Sequence, residues 1–257
     1  MSPKFSLSVY GEILASAKSA GYKFIDFSAL NIGMHSCSLG SKCLLRHDID
    51  VDLSAAFEMA KIEHDLGVSS TYFLMLRSPV YNLMARHNHA LVKSILDLGH
   101  SIGLHYDQGF DQLRGLTSTQ TTALLEGEAQ WLEQQFSCPV AAVSFHQPSS
   151  AVLQGKISTG NRVNTYDRDR LAGFEYFSDS NRNFSLLSES NSCIRDVFEA
   201  RAPQNLQILI HPMWWVYEND TTQAVWDCAI SSNFGMMQKQ LLETERAYGS
   251  ARNFFIR

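Results

Sequence analysis

Short apolar runs alternate along this chain with stretches in which apolar residues recur every three or four positions. The apolar runs are typical of strands buried on both faces, and they lie at 22–27, 43–46, 70–76, 99–105, 139–145, 176–180 and 206–210. The stretches with helical periodicity lie at about 8–20, 52–66, 88–98, 119–136 and 221–247. Strands that alternate with helices predict an α/β protein with a parallel sheet, either open or closed into a barrel.

Nothing in this pattern divides the chain into parts. No internal repeat, low-complexity tract or linker interrupts the 257 residues, so we expect one domain over residues 1–257. The polar, glycine-rich residues 149–175 predict a long functional loop or lid. Within the helix at 52–66, we expect Glu58 and Glu63 to lie on the solvent-exposed face.

Composition and charge exclude several classes of partner. Apolar residues make up 45% of the chain and charged residues 18%, which is enough to bury a sizeable core. The net charge of -5 and the lack of Lys/Arg clusters argue against nucleic acid. No apolar run approaches the roughly 18 residues that span a bilayer, and the first residues lack a secretory pattern. Five scattered cysteines without a CxxC pair indicate free thiols, so we expect a cytoplasmic protein and leave its oligomeric state open.

Polar and ionisable residues follow directly after most of the predicted strands. Because the carboxyl ends of parallel strands meet at one edge of a sheet or barrel, we expect these side chains to share one rim and form a functional site. They are Arg46, Asp48, Asp50, Arg77, His105, Asp107, His146, Asp179 and His211.

Asp48 and Asp50 lie on the same side of the chain if the strand is still extended, because side chains alternate with a period of two. Two carboxylates on one side repel unless a cation lies between them or one takes up a proton. This pattern predicts one metal-ligand carboxylate and one general base. The alternative is a helix N-cap, although Asp52 suits that position better.

Three histidines supply further candidates. His105 ends a strand and is a candidate ligand for zinc or a similar divalent ion. His146 is either another ligand or a substrate-binding group, and His211 is well placed to protonate a leaving group. Trp214 follows the same strand as His211, and its ring is either part of the core or a surface that stacks on a sugar.

Five motifs occur in an order that resembles a known family. They are Arg-His-Asp-Ile-Asp (46–50), Leu-Gly-His-Ser-Ile-Gly-Leu-His-Tyr-Asp (98–107), Ser-Phe-His-Gln-Pro (144–148), Tyr-Phe-Ser-Asp-Ser (176–180) and Leu-Ile-His-Pro-Met-Trp-Trp (209–215). Together they resemble a divergent branch of the NodB-homology polysaccharide deacetylases, carbohydrate esterase family 4. The resemblance covers about residues 40–215. It implies a distorted (β/α) barrel of about seven parallel strands, one divalent metal ion, often zinc, and hydrolysis of an N-acetyl group on a sugar.

The resemblance also implies a role for each matching residue. Asp48 corresponds to the general base of the family and His211 to its general acid. The metal-binding aspartate of the family would fall on Ile49, so we assign that role to Asp50. His105 matches the first metal-binding histidine, whereas the second would fall on Gly109, which has no side chain to offer.

The vacancy at Gly109 leaves the third metal ligand open. His146, which stands near the family's Arg-Pro-Pro-Tyr motif, or Asp107 would complete the set. Asp107, Asp179 and Trp214 are then candidate substrate-binding residues, and Arg46 or Arg77 would grip a carboxylate or phosphate of the substrate.

These observations favour a metal-dependent hydrolase that removes an N-acetyl group from a sugar. We expect the substrate to be a sugar or a surface-polysaccharide precursor, such as a nucleotide- or lipid-linked one. Two alternatives remain at this point: a carbohydrate-binding protein without catalysis on a degenerate barrel, and a metal-independent hydrolase of another C–N bond.

Overall fold

Eight parallel strands form the sheet at the centre of this computed structural model, which describes residues 5–30, 40–183 and 204–249 and also Ile194 and Phe198. The strands are β1 (Lys23–Phe24), β2 (Lys42–Ile49), β3 (Thr71–Leu74), β4 (Ser101–Asp107), β5 (Ala142–His146), β6 (Val163–Asn164), β7 (Phe174–Ser178) and β8 (Asn205–Ile210).

The strand order explains how the sheet presents one rim of side chains. Seven strands run in the order β6-β5-β4-β3-β2-β8-β7, and β1 pairs with β2 outside this path. The pairing is parallel throughout. Within the described ranges β6 and β7 are edge strands that do not pair with each other, so the curled sheet keeps an open seam between them. This architecture confirms the predicted distorted (β/α) barrel.

Helices cover the outside of the sheet. They are α1 (Leu7–Ser19), α2 (Leu53–Asp65), α3 (Arg86–Asp97), α4 (Gly109–Leu113), α5 (Ser118–Phe136), α6 (Ser150–Leu153), α7 (Pro212–Val216) and α8 (Thr222–Thr244). Among the described residues, none of the helices is both long and apolar enough to cross a membrane.

Helix α2 begins where the sequence predicts, but one of its faces differs from the prediction. The Asp52 side chain caps the helix by accepting a hydrogen bond from the backbone N–H of Ser54 at 2.7 Å. The expectation that Glu63 is solvent-exposed is wrong, because this residue is fully buried. Its carboxylate accepts hydrogen bonds from Tyr72 and Ser70 and lies 2.6 Å from His47 Nε2, so its charge is compensated inside the protein.

The interior of the barrel is packed closely below the rim. Phe27, Leu44 and Phe73 form its apolar floor together with residues of β5 and β6. Gly103 of β4 lies directly against this floor, because a Cβ atom at that position would fall 2.4 Å from Cε1 of Phe73. The Phe73 ring therefore occupies the space that any other residue at 103 would need.

Residues 149–175 contain more regular structure than the predicted loop. Helix α6 and strand β6 lie within this stretch, and β6 pairs with β5 at the edge of the sheet. Only two residues of β6 are paired, a strand too short to give a recognisable alternation in the sequence.

Candidate metal and catalytic site

Three candidate metal ligands converge above the carboxyl ends of β2, β4 and β5. Asp50 follows β2 directly, His105 lies in β4 and His146 ends β5. Asp50 Oδ1 lies 2.9 Å from His105 Nε2 and 3.1 Å from His146 Nδ1. One donor atom from each residue lies within 4.8 Å of the other two, and within the described ranges this is the group of ligand-type side chains that could hold a metal ion.

The electrostatics of this cluster favour a negative carboxylate surrounded by imidazoles. Burial alone would raise the pKa of Asp50, but the hydrogen bonds from His105 and His146 hold that pKa below its usual range. The hydrogen bond between His146 and Asp50 also raises the pKa of His146. Asp50 therefore remains ionised, as a metal ligand must be.

Asp48 lies beside the cluster with one oxygen anchored and the other unengaged. Its Oδ2 accepts a hydrogen bond from Ser144 at 2.8 Å and lies 3.4 Å from Nη2 of Arg46. Its Oδ1 is buried and has no hydrogen-bond partner among the described residues. A carboxylate that is anchored in this way and borders the cleft is suited to accept a proton.

His211 also lies next to the cluster and is held by a buried carboxylate. Asp179, which is fully buried, lies 2.6 Å from His211 Nδ1 and also accepts a hydrogen bond from Trp215 at 2.8 Å. Nε2 of His211 therefore faces the cleft, 3.9 Å from Asp50 Oδ2. Burial lowers the pKa of His211, but the charge of Asp179 outweighs it and raises that pKa to about 9. The imidazole is thus protonated at neutral pH.

All five of these side chains border one cleft of about 560 Å³. Its lining is mixed: besides the polar residues it includes the aromatic side chains of Phe145, Tyr166, Trp214 and Trp226. The two tryptophan rings are 6.2 Å apart and nearly perpendicular. The cleft thus combines one polar cluster with rings able to pack against the faces of a cyclic substrate.

Comparisons with known proteins were made on the sequence and on the structure. No protein-family model and no curated protein sequence matches this chain. Among solved structures, the deacetylase PplD of Streptococcus pyogenes in complex with acetate is similar at 14% identity and a TM-score of 0.44, over 80% of this chain and 81% of that one. The peptidoglycan deacetylase PdaC of Bacillus subtilis is similar at 12% identity and a TM-score of 0.44, over 78% and 85% of the two chains.

A carbohydrate esterase family 4 pseudoenzyme of Bacillus anthracis is also similar, at 14% identity and a TM-score of 0.40. That match covers 77% of this chain and 62% of the other. At these identities and TM-scores, the matches report only that the chains are similar, and no function is assigned from them. What this chain does has to be argued from its own side chains.

The donor set fits a divalent ion such as zinc. Two imidazole nitrogens and one carboxylate oxygen are the ligands of many catalytic zinc sites, which keep a further position open. The remaining nitrogen of His105, Nδ1, is buried and makes no hydrogen bond to any described residue, and Oδ2 of Asp48 lies 3.7 Å from it. Of the two residues considered for the third ligand, His146 lies in the cluster, whereas Asp107 accepts a hydrogen bond from the Gly109 backbone at 2.9 Å and does not line the cleft.

The two arginines that were predicted to bind substrate do not line the cleft. Arg46 is fully buried inside the barrel, where its guanidinium packs 4.8 Å from the Tyr166 ring. Arg77 forms ion pairs with Asp111 and Glu128, outside the lining of the cleft. Asp179, also predicted to bind substrate, instead lies behind His211 with no exposed surface.

Sequence reasoning missed several residues of the site, among them Ser144, Tyr166 and Trp226. Ser144 precedes His146 by two positions on β5 and therefore faces the same side, a period-two signal that could have revealed it. Trp226 comes from α8, which borders the cleft through tertiary packing alone, so no local pattern identifies it.

Proposed function

We propose that this protein is a metal-dependent hydrolase that removes an N-acetyl group from a sugar. The observation that carries the proposal is that Asp50, His105 and His146 converge in the cleft that Asp48 and His211 also line. The three ligands supply a divalent site, for which we propose zinc. A carboxylate and a protonated imidazole in the same cleft match the base and the acid that hydrolysis of an amide needs.

The chemistry follows from the positions of these groups. A divalent ion at this site would lower the pKa of water and polarise the amide carbonyl. Asp48 accepts the proton of the water that attacks the carbonyl carbon, using the oxygen that has no protein partner. His211 donates the proton from Nε2 to the amine nitrogen as the C–N bond breaks. The products are acetate and the free amino sugar.

Asp179 and Ser144 act indirectly, because they position His211 and Asp48. The short contact with Asp179 keeps Nδ1 of His211 occupied, so that Nε2 carries the proton that faces the cleft. The hydrogen bond from Ser144 fixes Oδ2 of Asp48 and leaves Oδ1 for the water. Trp214 and Trp226 form the wall against which a sugar ring would pack.

We further propose that the substrate is a sugar unit of a polysaccharide precursor inside the cell. The thiols of Cys43, Cys138 and Cys228 are free, which is consistent with the predicted cytoplasmic location. The mixed polar and aromatic cleft suits a sugar ring.

The experiment that tests the proposal is an assay of acetate release from N-acetylglucosamine and its oligomers, with the zinc-loaded protein and after chelator treatment. Release that stops on chelation and returns with zinc supports it. Release that persists after complete metal removal would instead favour the metal-independent C–N hydrolase. Sugar binding without any acetate release would favour the carbohydrate-binding alternative.

A further inference from the structure

The main chain that carries the candidate metal ligand Asp50 lies just beyond the end of a strand. Strand β2 ends at Ile49, where its pairing with β3 also ends, opposite Leu74. Its pairing with β8 ends earlier, at His47. Asp50 is therefore the first residue after the strand, where regular pairing with the neighbouring strands stops.

The two peptide units that flank the Cα atom of Asp50 are each held by a side-chain hydroxyl. The Tyr81 hydroxyl donates to the carbonyl of Ile49 at 2.8 Å, and the Ser78 hydroxyl donates to the carbonyl of Asp50 at 3.2 Å. Peptide units are planar, so holding both of them restrains the two main-chain dihedral angles of Asp50. The direction in which its carboxylate leaves the main chain is thereby restrained as well.

Both hydroxyls belong to the segment between β3 and α3, residues 75–85, which we call the β3 loop. The Tyr81 hydroxyl also accepts a hydrogen bond from the N–H of Met75 at 2.9 Å, and the whole residue is 6% exposed. The Ser78 hydroxyl accepts from the N–H groups of Val80 and Tyr81 at 3.2 and 3.3 Å. A hydroxyl that accepts from the main chain of its own loop donates in a defined direction.

Arg77 anchors the β3 loop to the helices on its other side. Its guanidinium forms ion pairs with Asp111 of α4 and Glu128 of α5, and it lies 4.3 Å from the centre of the Phe110 ring. Several contacts to one guanidinium restrain a loop better than a single exposed ion pair would. No residue of the β3 loop, all of which the structure describes, lines the cleft. The loop therefore supports the site from behind.

A metal site is sensitive to support of this kind, because its ligand atoms must lie within a few tenths of an ångström of their ideal distances. Oδ1 of Asp50 lies 2.9 Å from His105 Nε2 and 3.1 Å from His146 Nδ1. Rotation about the main chain of Asp50 would move this oxygen relative to both nitrogens. Removing groups that orient metal ligands typically weakens metal binding by about 10–100-fold.

We propose that Tyr81 and Ser78 are positioning residues that direct the Asp50 carboxylate toward the metal ion. They act through the main chain of Asp50 and do not line the cleft. This inference rests on the proposed function, because it takes Asp50 to be a metal ligand. In the alternative, the two hydroxyls only satisfy the carbonyls at the end of the strand, so that their loss would lower stability and leave metal binding unchanged.

The test compares zinc binding by full-length Tyr81→Phe and Ser78→Ala with that of two control variants. Tyr72→Phe removes another buried tyrosine hydroxyl, which donates to Glu63 at 2.9 Å. Ser78→Thr keeps the hydroxyl. Zinc affinity is measured by competition with a chromophoric chelator, and the visible spectrum of the cobalt(II)-loaded protein reports the geometry of the ligands. Thermal melts of the metal-free proteins measure stability separately.

Tyr81→Phe and Ser78→Ala should each bind zinc at least about tenfold more weakly and should change the cobalt spectrum. Ser78→Thr and Tyr72→Phe should match the wild-type protein in both measurements, although Tyr72→Phe should melt at a lower temperature. Wild-type affinity and spectrum in Tyr81→Phe and Ser78→Ala would overturn the proposal, as would an equal loss of affinity in Tyr72→Phe. Ser78 is only partly buried, so Ser78→Ala decides the question if Tyr81→Phe does not fold.

Acetate release separates this result from the proposed function. If the variants lose zinc affinity as expected but the wild-type protein releases no acetate from N-acetylglucosamine oligomers, the positioning role stands and the hydrolase proposal fails. If the wild-type protein binds zinc and releases acetate while Tyr81→Phe and Ser78→Ala bind zinc normally, the hydrolase proposal stands and the positioning role is wrong. A wild-type protein that binds no divalent ion contradicts both.

Discussion

His146 Nδ1 lies 3.1 Å from Asp50 Oδ1, although the two residues are separated by 96 positions in the sequence. Strand β5 brings this imidazole to the rim beside His105 of β4. The third candidate ligand therefore comes from a neighbouring strand, and not from Gly109 at the start of α4. An incomplete motif along the sequence is consequently compatible with a complete donor set in space.

Replacing the proposed base should abolish most turnover and spare the metal. For Asp48→Asn we expect kcat to fall by about 10²–10⁴-fold, the usual contribution of general base catalysis. Zinc affinity should be unchanged, because Asp48 is not one of the three ligands. Ser144→Ala, which removes only the hydrogen bond that anchors Oδ2, should cause a smaller loss. Near-normal steady-state turnover of Asp48→Asn would show that another group takes the proton.

The pH dependence of turnover should report the pair formed by His211 and Asp179. His211 is the proposed acid and its pKa is about 9, so kcat/KM should fall as the pH rises through about 9. Asp179→Asn should move this alkaline limb to lower pH, because it removes the charge that raises the pKa. A surface variant, Asp169→Asn, should leave the limb in place. An identical profile for Asp179→Asn would contradict the assignment of His211.

The same pair links stability to pH. The pKa of His211 in the folded protein is above its unfolded value of about 6.5. The stabilisation of the folded protein by the His211–Asp179 pair is therefore complete below about pH 6.5. It is then lost as the pH rises through about 9.

The buried carboxylate of Glu63 should be important for stability. Tyr10, Ser70 and Tyr72 donate to it and His47 lies 2.6 Å away, so its removal leaves several buried polar groups without a partner. For Glu63→Ala we expect a loss of about 3–5 kcal/mol in the free energy of unfolding, measured with urea.

Glu58→Ala on the same helix is the matched control for Glu63→Ala. Glu58 pairs with Lys61 at the surface, so its loss should cost no more than about 0.5 kcal/mol. Equal effects of the two substitutions would contradict the role of the buried cluster. Burial raises the pKa of Glu63, but His47 outweighs it and lowers that pKa, so this stabilisation should decline as the pH falls below the unfolded value of about 4.3.

Packing inside the barrel predicts opposite effects for two Gly→Ala substitutions. At Gly103 the new Cβ would fall 2.4 Å from Phe73, so we expect a loss of about 1–3 kcal/mol from overpacking. At Gly127, in the middle of α5, nothing lies within 4 Å, so alanine should stabilise the helix by about 0.5–1 kcal/mol. Chemical denaturation of both variants measures the difference. A stabilised Gly103→Ala would mean that Phe73 moves aside at no cost.

The sequence predicts the rim of the site well because strand ends can be recognised locally. Asp48, Asp50, His105, His146 and His211 all follow or end apolar runs, and parallel topology alone brings such residues together. Their assigned roles remain predictions, but the structure brings all five to one cleft.

Other features of the structure depend on contacts that no local pattern encodes. Glu63 occupies a polar position of an amphipathic helix, and only the arrival of His47 and Tyr10 from other elements makes its burial tolerable. Arg46 follows an apolar run in the sequence, yet it lies in the middle of β2 and inside the barrel, where Asp48 and three aromatic rings surround its guanidinium. Strand β6 is too short to carry a periodic signal.

Metal binding by Asp50, His105 and His146 is the central claim, and elemental mass spectrometry with a zinc titration tests it most directly. The wild-type protein should contain close to one zinc ion per chain after equilibration. His146→Ala should bind zinc at least about 100-fold more weakly. Removing a metal ligand should weaken metal binding at least as much as removing a residue that hydrogen-bonds to a ligand. His64→Ala, which alters an exposed histidine of α2, should bind normally. A wild-type protein that binds no divalent ion, or His146→Ala with unchanged affinity, would contradict the account.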